Sequence, residues 1–278
     1  MRGIVLTDLH VDPLYQPTSS PINRCFCRAS CSNTSQLWSG HVARQFGQAG
    51  CAAPPDLLDL ILASAAQEVP APDFVFLLGD AIASRIDDSP NAGPLRKARQ
   101  NFFPSVTSRI AKAFPSAVRS SHSLGCAVAL GNNDAFLDYT IGLDDPSVYV
   151  RQAAAVAAMC RLSSDEAASF RRGGFYARGA PGGPRLAVLN TAPYSALHDP
   201  PLNETLHPDP YGQFAWLEAE LERATAQRTP LLILGHTPPV LDYYDRTPIW
   251  QEVYAARYWA LLTRHHSAVA GQFFRPFA

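Results

Sequence analysis

Four short motifs of this chain combine residue types that bind divalent metal ions, and each motif follows an apolar run. They are Asp8-Leu9-His10, Gly79-Asp80, Gly131-Asn132-Asn133-Asp134 and Gly235-His236. Carboxylate oxygens, amide oxygens and imidazole nitrogens are the groups through which proteins bind such ions. The four motifs together therefore predict a site for two metal ions.

Each predicted ligand can be given a role. Two cations about 3.5–4 Å apart need a shared anionic bridge, which a single carboxylate can supply, and we expect Asp80 to be that bridge. Asp8 and His10 would complete the protein ligands of one ion. Asn132 and His236 would bind the other. Such ions lower the pKa of a bridging water from about 15.7 towards 7, and the resulting hydroxide can attack phosphorus in line with a leaving alcohol.

Each motif also has a purely structural interpretation. Gly-Asp after a strand is typical of a turn, and Gly-Asn-Asn-Asp can be a polar turn in which Asn accepts a left-handed backbone. A single His is more commonly a hydrogen-bonded structural residue than a ligand. The combination favours a metal site because every motif ends a predicted strand, and open α/β sheets bind ligands beyond the carboxyl ends of their strands.

Short apolar runs predict buried strands, and segments of helical periodicity lie between them. The strands are predicted at 4–6, 74–78, 126–130, 185–189, 231–234 and 268–274. Helices are predicted from Asp56, around 95–114, at 147–161, from Pro210 and at 250–263. Pro104 is expected to kink or break the second helix, and residues 11–55 are expected to be irregular. The alternation predicts an α/β architecture with helices on both faces.

Composition excludes several function classes. The 278 residues are 47% hydrophobic and 17% charged, with a net charge of −1, which suits a globular protein with a sizeable core. The absence of any long Lys/Arg run argues against a nucleic-acid-binding patch or a polybasic membrane surface. No apolar stretch reaches the roughly 18 residues of a transmembrane helix. We expect a monomer whose partner is a small substrate.

The six cysteines are unevenly spaced. Four lie close together: Cys25, Cys27, Cys31 and Cys51. A zinc knuckle would need regular Cys-x-x-Cys pairs, which this spacing lacks. Disulfides that hold a loop fit better and imply an oxidising compartment. Cys126 and Cys160 stand apart, and the sequence does not show whether they pair.

Two N-glycosylation sequons, at Asn33 and Asn203, agree with an oxidising compartment. Secreted, lysosomal or vacuolar residence is therefore expected. Against it, Met1 leads directly into a predicted core strand without a signal peptide. Either the natural N-terminus lies upstream, which we favour, or the protein is cytosolic with reduced thiols.

The chain resembles the calcineurin-like metallophosphoesterases, in the branch of acid sphingomyelinase, its phosphodiesterase-like relatives and the fungal endopolyphosphatases. The resemblance runs from about residue 4 to residue 274. Its carriers are Thr7-Asp8-Leu9-His10-Val11-Asp12-Pro13-Leu14-Tyr15, the cysteine cluster with Gly50-Cys51-Ala52-Ala53-Pro54, Leu78-Gly79-Asp80, Leu130-Gly131-Asn132-Asn133-Asp134, Leu189-Asn190-Thr191, Gln213-Phe214-Ala215-Trp216-Leu217, Gly235-His236-Thr237-Pro238-Pro239 and Ala270-Gly271-Gln272-Phe273-Phe274. It implies a four-layer αββα sandwich, two divalent metal ions, with zinc the expected identity, and disulfide-bonded, glycosylated enzymes.

The chain departs from the family pattern in three places. Family members follow Gln-Phe-Phe with Gly-His-x-His, whereas residues 275–278 are Arg-Pro-Phe-Ala. His265 and His266 are poor substitutes, because about eight residues at roughly 3.3 Å each would place them at the far end of the last strand. Asn133 stands where sphingomyelinase-type members have the catalytic His, and it can donate a hydrogen bond to phosphate but no proton near neutral pH.

The third departure follows the bridging Asp, where members often have His four residues later and this chain has Ser84. Arg85, the next residue, could clamp phosphate, although a solvated surface arginine is the simpler interpretation.

Three functional hypotheses follow. The first is a metal-dependent phosphodiesterase of the acid sphingomyelinase-like group, with Asn133 in the catalytic position. The second is an endopolyphosphatase, which shares the Gly-Asn-Asn-Asp motif. The third is an inactive truncated isoform or pseudoenzyme that lacks the last two histidine ligands. Residues 1–278 are expected to form one catalytic domain with an incomplete C-terminal part, and a gene model lacking an exon at each end would explain both termini.

Overall fold

A computed structural model describes residues 1–17, 27–28, 45–83, 92–119, 124–134, 139, 147–179 and 183–275. The strands are β1 (Gly3–Leu6), β2 (Phe74–Leu78), β3 (Gly125–Ala129), β4 (Tyr176–Gly179), β5 (Arg185–Val188), β6 (Leu231–Leu234) and β7 (Val269–Phe273). The helices are α1 (Pro55–Glu68), α2 (Ala92–Ala113), α3 (Pro115–Arg119), α4 (Ser147–Cys160), α5 (Ser164–Gly173), α6 (Gln213–Gln227) and α7 (Glu252–Arg264). Within these ranges, no helix combines the length and apolar character needed to cross a membrane.

The strands form two sheets. The first has the order β1-β2-β3 and is entirely parallel. The second has the order β4-β5-β6-β7, in which β4 runs antiparallel to β5 and the other pairs are parallel. The carboxyl ends of β1, β2 and β3 are in register, since Leu6 pairs with Leu77 and Leu77 with Val128. The loops that follow these three strands therefore leave the sheet at one edge.

The two sheets pack face to face between outer helices. Along β5, Leu186 and Val188 lie in one core with residues of β2 and β3, whereas Ala187 lies in another with α6 and α7. This alternation is what a strand covered on both faces must show, because successive side chains point to opposite sides. Helices α1, α2 and α4 cover the first sheet. The predicted αββα sandwich is confirmed as a mixed α/β fold.

Three elements were missed by the sequence interpretation, namely α3, α5 and β4. The signal for α5 was present: Ser163 accepts a hydrogen bond from the Glu166 amide at 3.2 Å, and Glu166 accepts one from the Ser163 amide at 2.7 Å. Ser-x-x-Glu before a helix is a capping box. Strand β4 had no comparable signal, because four residues at a sheet edge carry little periodicity.

Of the expected kink or break at Pro104, the break does not occur, since α2 continues through it to Ala113, and a kink stays a prediction. Proline removes one backbone hydrogen bond and crowds the preceding turn. The apolar face of the helix compensates, because Phe103, Val106 and Ile110 are fully buried. Burial of side chains of this size contributes roughly 1.5–3 kcal/mol each, which exceeds the cost of one proline.

Two disulfides are present in the described residues. Cys27 bonds to Cys51 across 24 residues, and Cys126 bonds to Cys160 across 34 residues. The first lies in the predicted cysteine cluster, whose other members Cys25 and Cys31 are outside the described residues. The second joins β3 to the end of α4, a pairing that the sequence left open.

Replacing Cys126 and Cys160 together by Ala is expected to lower the free energy of unfolding by about 3–4 kcal/mol, because the bond closes a long loop in the unfolded chain. Urea unfolding of both proteins measures this. Under reducing conditions the wild-type protein loses the same bond, so the difference should shrink to the small effect of the lost sulfur atoms. An equal difference with and without reductant would contradict a disulfide origin.

Candidate metal centre

The loops after β1 and β2 run side by side at the carboxyl edge of the first sheet. The Asp8 amide donates to the Gly79 carbonyl at 3.1 Å, and the His10 amide donates to the Asp80 carbonyl at 2.9 Å. Asp8, His10 and Asp80 all have positive φ angles, of 52°, 44° and 52°. Non-glycine residues adopt such angles at a cost, and they cluster at functional sites.

These loops bring three predicted ligands together. Ligand atoms of Asp8, His10 and Asp80 all lie within 4.8 Å of one another. His10 Nε2 is 3.7 Å from Asp8 Oδ1 and 3.6 Å from Asp80 Oδ2. Asp80 is buried, while the side chains of Asp8 and His10 are 27% and 34% exposed. The cluster therefore combines a buried carboxylate with two side chains that are partly open to solvent.

The other two predicted ligands adjoin this cluster. His236, after β6 of the second sheet, has Nε2 at 3.1 Å from Asn132 Oδ1 and at 3.4 Å from Asp80 Oδ2. Its Nδ1 lies 2.7 Å from the carbonyl oxygen of Leu78, and that contact requires Nδ1 to carry a proton. A neutral His236 would then turn its Nε2 lone pair towards two oxygen acceptors. A proton on Nε2 or a cation among these atoms removes that repulsion, and this set of oxygen and imidazole donors fits a bound metal ion.

The charges of the centre support the same conclusion. Burial alone would raise the pKa of the Asp80 carboxyl, but the hydrogen bond and charge of His236 hold it below its usual value. Burial would likewise raise the pKa of Asp8, which the hydrogen bonds of His10 and Thr7 hold far below. Conversely, burial would lower the pKa values of His10 and His236, and the adjacent carboxylates raise both. The field of the centre is one that attracts positive charge.

The buried carboxylate of Asp134 connects two of the loops that carry the predicted ligands. Its two carboxylate oxygens accept hydrogen bonds from the amides of Ala81 and Gly131, each at 2.9 Å. Its burial, together with the negative charge of Asp80, raises its pKa to about 6. The sequence placed Asp134 in a motif but assigned it no role. The structure shows that it joins the loops after β2 and β3.

Asn133, predicted to be catalytic, is buried and directed at Asp80. Its backbone amide donates to Asp80 Oδ1 at 2.9 Å, and its side-chain amide donates to Asp80 Oδ2 at 2.7 Å. In this arrangement it orients the predicted bridging carboxylate. A contact with substrate stays a prediction.

Arg275 also lies at the centre, although the sequence analysis gave it no role there. Its guanidinium Nη1 lies 3.1 Å from Asp8 Oδ1, which forms an ion pair between residues 267 positions apart. His265 and His266 lie between α7 and β7, at the amino end of that strand, so they are remote from the centre as expected. Residues 276–278 are outside the described residues.

The remaining predicted sites lie elsewhere. Asn203 is exposed, and its side-chain oxygen accepts hydrogen bonds from the amides of Thr205 and Leu206 at 2.9 and 3.2 Å. Asn33, Ser84 and Arg85 are outside the described residues. Glycosylation at either sequon stays a prediction.

Comparison with known proteins finds relatives that are named phosphodiesterases. The chain is 28% identical over 275 residues to acid sphingomyelinase-like phosphodiesterase 3b of Mus musculus, covering 97% of this chain and 55% of that protein. It is 28% identical over 280 residues to a cyclic GMP-AMP phosphodiesterase of Rattus norvegicus, covering 97% and 56%. The resemblance to acid sphingomyelinase-like phosphodiesterases is thereby confirmed. The chain spans about half the length of these relatives.

No family model matches the chain. Among solved structures, a dimetal phosphatase from Danio rerio is 14% identical, with a TM-score of 0.49, covering 97% of this chain and 79% of that one.

The close approach of Gly131 to Asp80 can be tested by substitution. A Cβ atom there would lie 2.1 Å from Asp80 Oδ1 and 2.3 Å from the Asp80 amide nitrogen. Gly131→Ala is therefore expected to lower the free energy of unfolding by at least about 2 kcal/mol. Urea unfolding followed by circular dichroism gives the value.

Gly271→Ala is the matched control, because the nearest atom to its added Cβ is the flexible end of Leu232 at 3.3 Å. Its stability should change by less than about 1 kcal/mol in either direction. Equal effects of the two substitutions would refute the close approach of Gly131 to Asp80.

Proposed function

We propose that this protein is a metal-dependent hydrolase of phosphoesters, acting on phosphodiesters. One observation carries the proposal: loops from two separate sheets bring carboxylate, amide and imidazole groups to one partly open site around Asp80. The printed names of the relatives are phosphodiesterases, which supports this reaction class.

The five predicted ligands divide into two halves that share Asp80. Asp8 and His10 form one half, and Asn132 and His236 form the other. When bound, two divalent ions supply a water of lowered pKa and neutralise phosphate oxygens. Zinc binds mixed sets of oxygen and nitrogen ligands, and we therefore propose zinc as the metal.

The protein's own groups orient this centre. The Leu78 carbonyl holds the His236 ring through Nδ1 and leaves Nε2 for the metal. Such a second contact fixes the tautomer of a ligand histidine and its ring orientation. Asn133 holds both oxygens of Asp80. The exposed edge at Asp8 and His10 is where a phosphoester would enter.

An endopolyphosphatase is the second candidate, and Asn133 favours it. Without an imidazole at this position, no side chain there can protonate a leaving alcohol near neutral pH. A polyphosphate leaving group needs less help, because a phosphate oxyanion is a better leaving group than an alkoxide. The third hypothesis, an inactive chain, predicts that neither phosphodiesters nor polyphosphate are cleaved.

We also propose residence in an oxidising compartment, outside the cell or in a lysosome or vacuole. The support is the two disulfides, Cys27–Cys51 and Cys126–Cys160, because such bonds persist where thiols are not kept reduced.

The test combines metal content with substrate choice. The purified chain should hold about two zinc ions after dialysis against trace zinc, as measured by elemental analysis. It should hydrolyse bis(p-nitrophenyl) phosphate faster than p-nitrophenyl phosphate. Cleavage of polyphosphate alone would favour the second candidate, and absence of both metal and hydrolysis would contradict the proposed function.

Asp80→Asn should reduce the rate of hydrolysis by about 100-fold or more, because a neutral amide cannot bridge two cations. Asp245→Asn is the matched control, since Asp245 is exposed and its carboxylate accepts hydrogen bonds from the amide and hydroxyl of Thr247 in the same surface loop. Its rate should equal that of the wild-type protein. Circular dichroism of both variants checks that the fold is retained. A fully active Asp80→Asn variant would contradict the proposed role of Asp80 as the bridging ligand.

A further inference from the structure

We propose that Arg275 is a built-in cation that competes with a metal ion for Asp8, so that the Asp8–His10 half of the centre binds metal more weakly than the Asn132–His236 half. The inference rests on the proposed metal-dependent function and concerns how this chain controls metal loading of that site.

The geometry of Arg275 joins both sheets at the centre. Its backbone amide donates to the His236 carbonyl at 2.9 Å, which anchors residue 275 directly beside a predicted ligand. From this anchor the guanidinium reaches Asp8 Oδ1 at 3.1 Å. The same oxygen lies 3.7 Å from His10 Nε2. The guanidinium therefore contacts an oxygen that a metal ion bound to Asp8 and His10 would need.

The second oxygen of Asp8 is also hydrogen-bonded. It accepts a hydrogen bond from the Thr7 hydroxyl at 2.5 Å. A metal ion can displace a proton from a histidine, but a guanidinium does not lose its proton in proteins. A metal ion at Asp8 therefore meets a permanent positive charge, and only a movement of the Arg275 side chain removes it. That side chain is 22% exposed, so it has solvent into which it can turn.

This arrangement makes the two halves of the centre unequal. The direct ion pair of Arg275 is with Asp8, which belongs to the first half. In the second half, His236 Nε2 lies 3.1 Å from Asn132 Oδ1 and 3.4 Å from Oδ2 of the buried Asp80. We expect the first ion to occupy that second half and the next ion to bind only as Arg275 leaves Asp8.

Calorimetric titration of the metal-stripped full chain with Zn²⁺ tests the inference. The wild-type protein should show one tight and one weak site. In Arg275→Ala the dissociation constant of the weak site should fall by about tenfold or more, because a neighbouring positive charge has been removed. Arg275→Lys keeps the charge and should stay within about threefold of the wild-type value. Arg275→Gln serves if the Ala variant does not fold.

Arg264→Ala is the matched control, since Arg264 forms an exposed ion pair with Glu218 on a different part of the surface. Its zinc affinities should equal those of the wild-type protein. Two zinc sites that are unchanged or weakened in Arg275→Ala would overturn the role of Arg275 while leaving the metal centre intact. No zinc binding by any variant would overturn both the centre and this inference.

Discussion

The contact between His236 and the Leu78 carbonyl is the constraint on which the centre depends. It joins the end of β6 to the end of β2, and so it ties the two sheets together at their carboxyl edges. The approach is close enough that a Cβ on Gly79 would lie 2.8 Å from His236 Nδ1 and 2.5 Å from the Gly131 amide nitrogen. Only glycine leaves room for the three loops to converge. The distances among the predicted ligands follow from this packing.

The centre also stores backbone strain. Asp8, His10 and Asp80 take left-handed angles that cost on the order of 1–3 kcal/mol each. Hydrogen bonds between the loops after β1 and β2, and the carboxylate of Asp134 between the loops after β2 and β3, hold these angles in place. The sandwich around them supplies the stability, since β2, β3, β5 and β6 are buried along most of their length. A stable core thus supports a strained and partly exposed site.

Much of the fold was predictable because buried parallel strands leave a strong signal. The apolar runs of β2, β3 and β6 were recognised to within about a residue, and each ends at a metal-type side chain. The prediction failed where local pattern and tertiary packing disagree. Pro104 predicts a kink or a break, but the helix is not broken there, because the buried side chains around it stabilise α2. Strand β4 is short and lies at an edge, so its existence depends on pairing with β5.

For the centre, the sequence by itself determined which residue types stand at the strand ends, because chain order and the apolar runs define those positions. It therefore named Asp8, His10, Asp80, Asn132 and His236 as candidates. Only the tertiary structure decided how they meet, since His236 comes from a separate sheet and its distance to Asp80 depends on how the sheets pack. Only the tertiary structure shows that the Asn133 side chain donates a hydrogen bond to Asp80. It also brought Arg275 to Asp8, because an ion pair across 267 residues has no local pattern to reveal it.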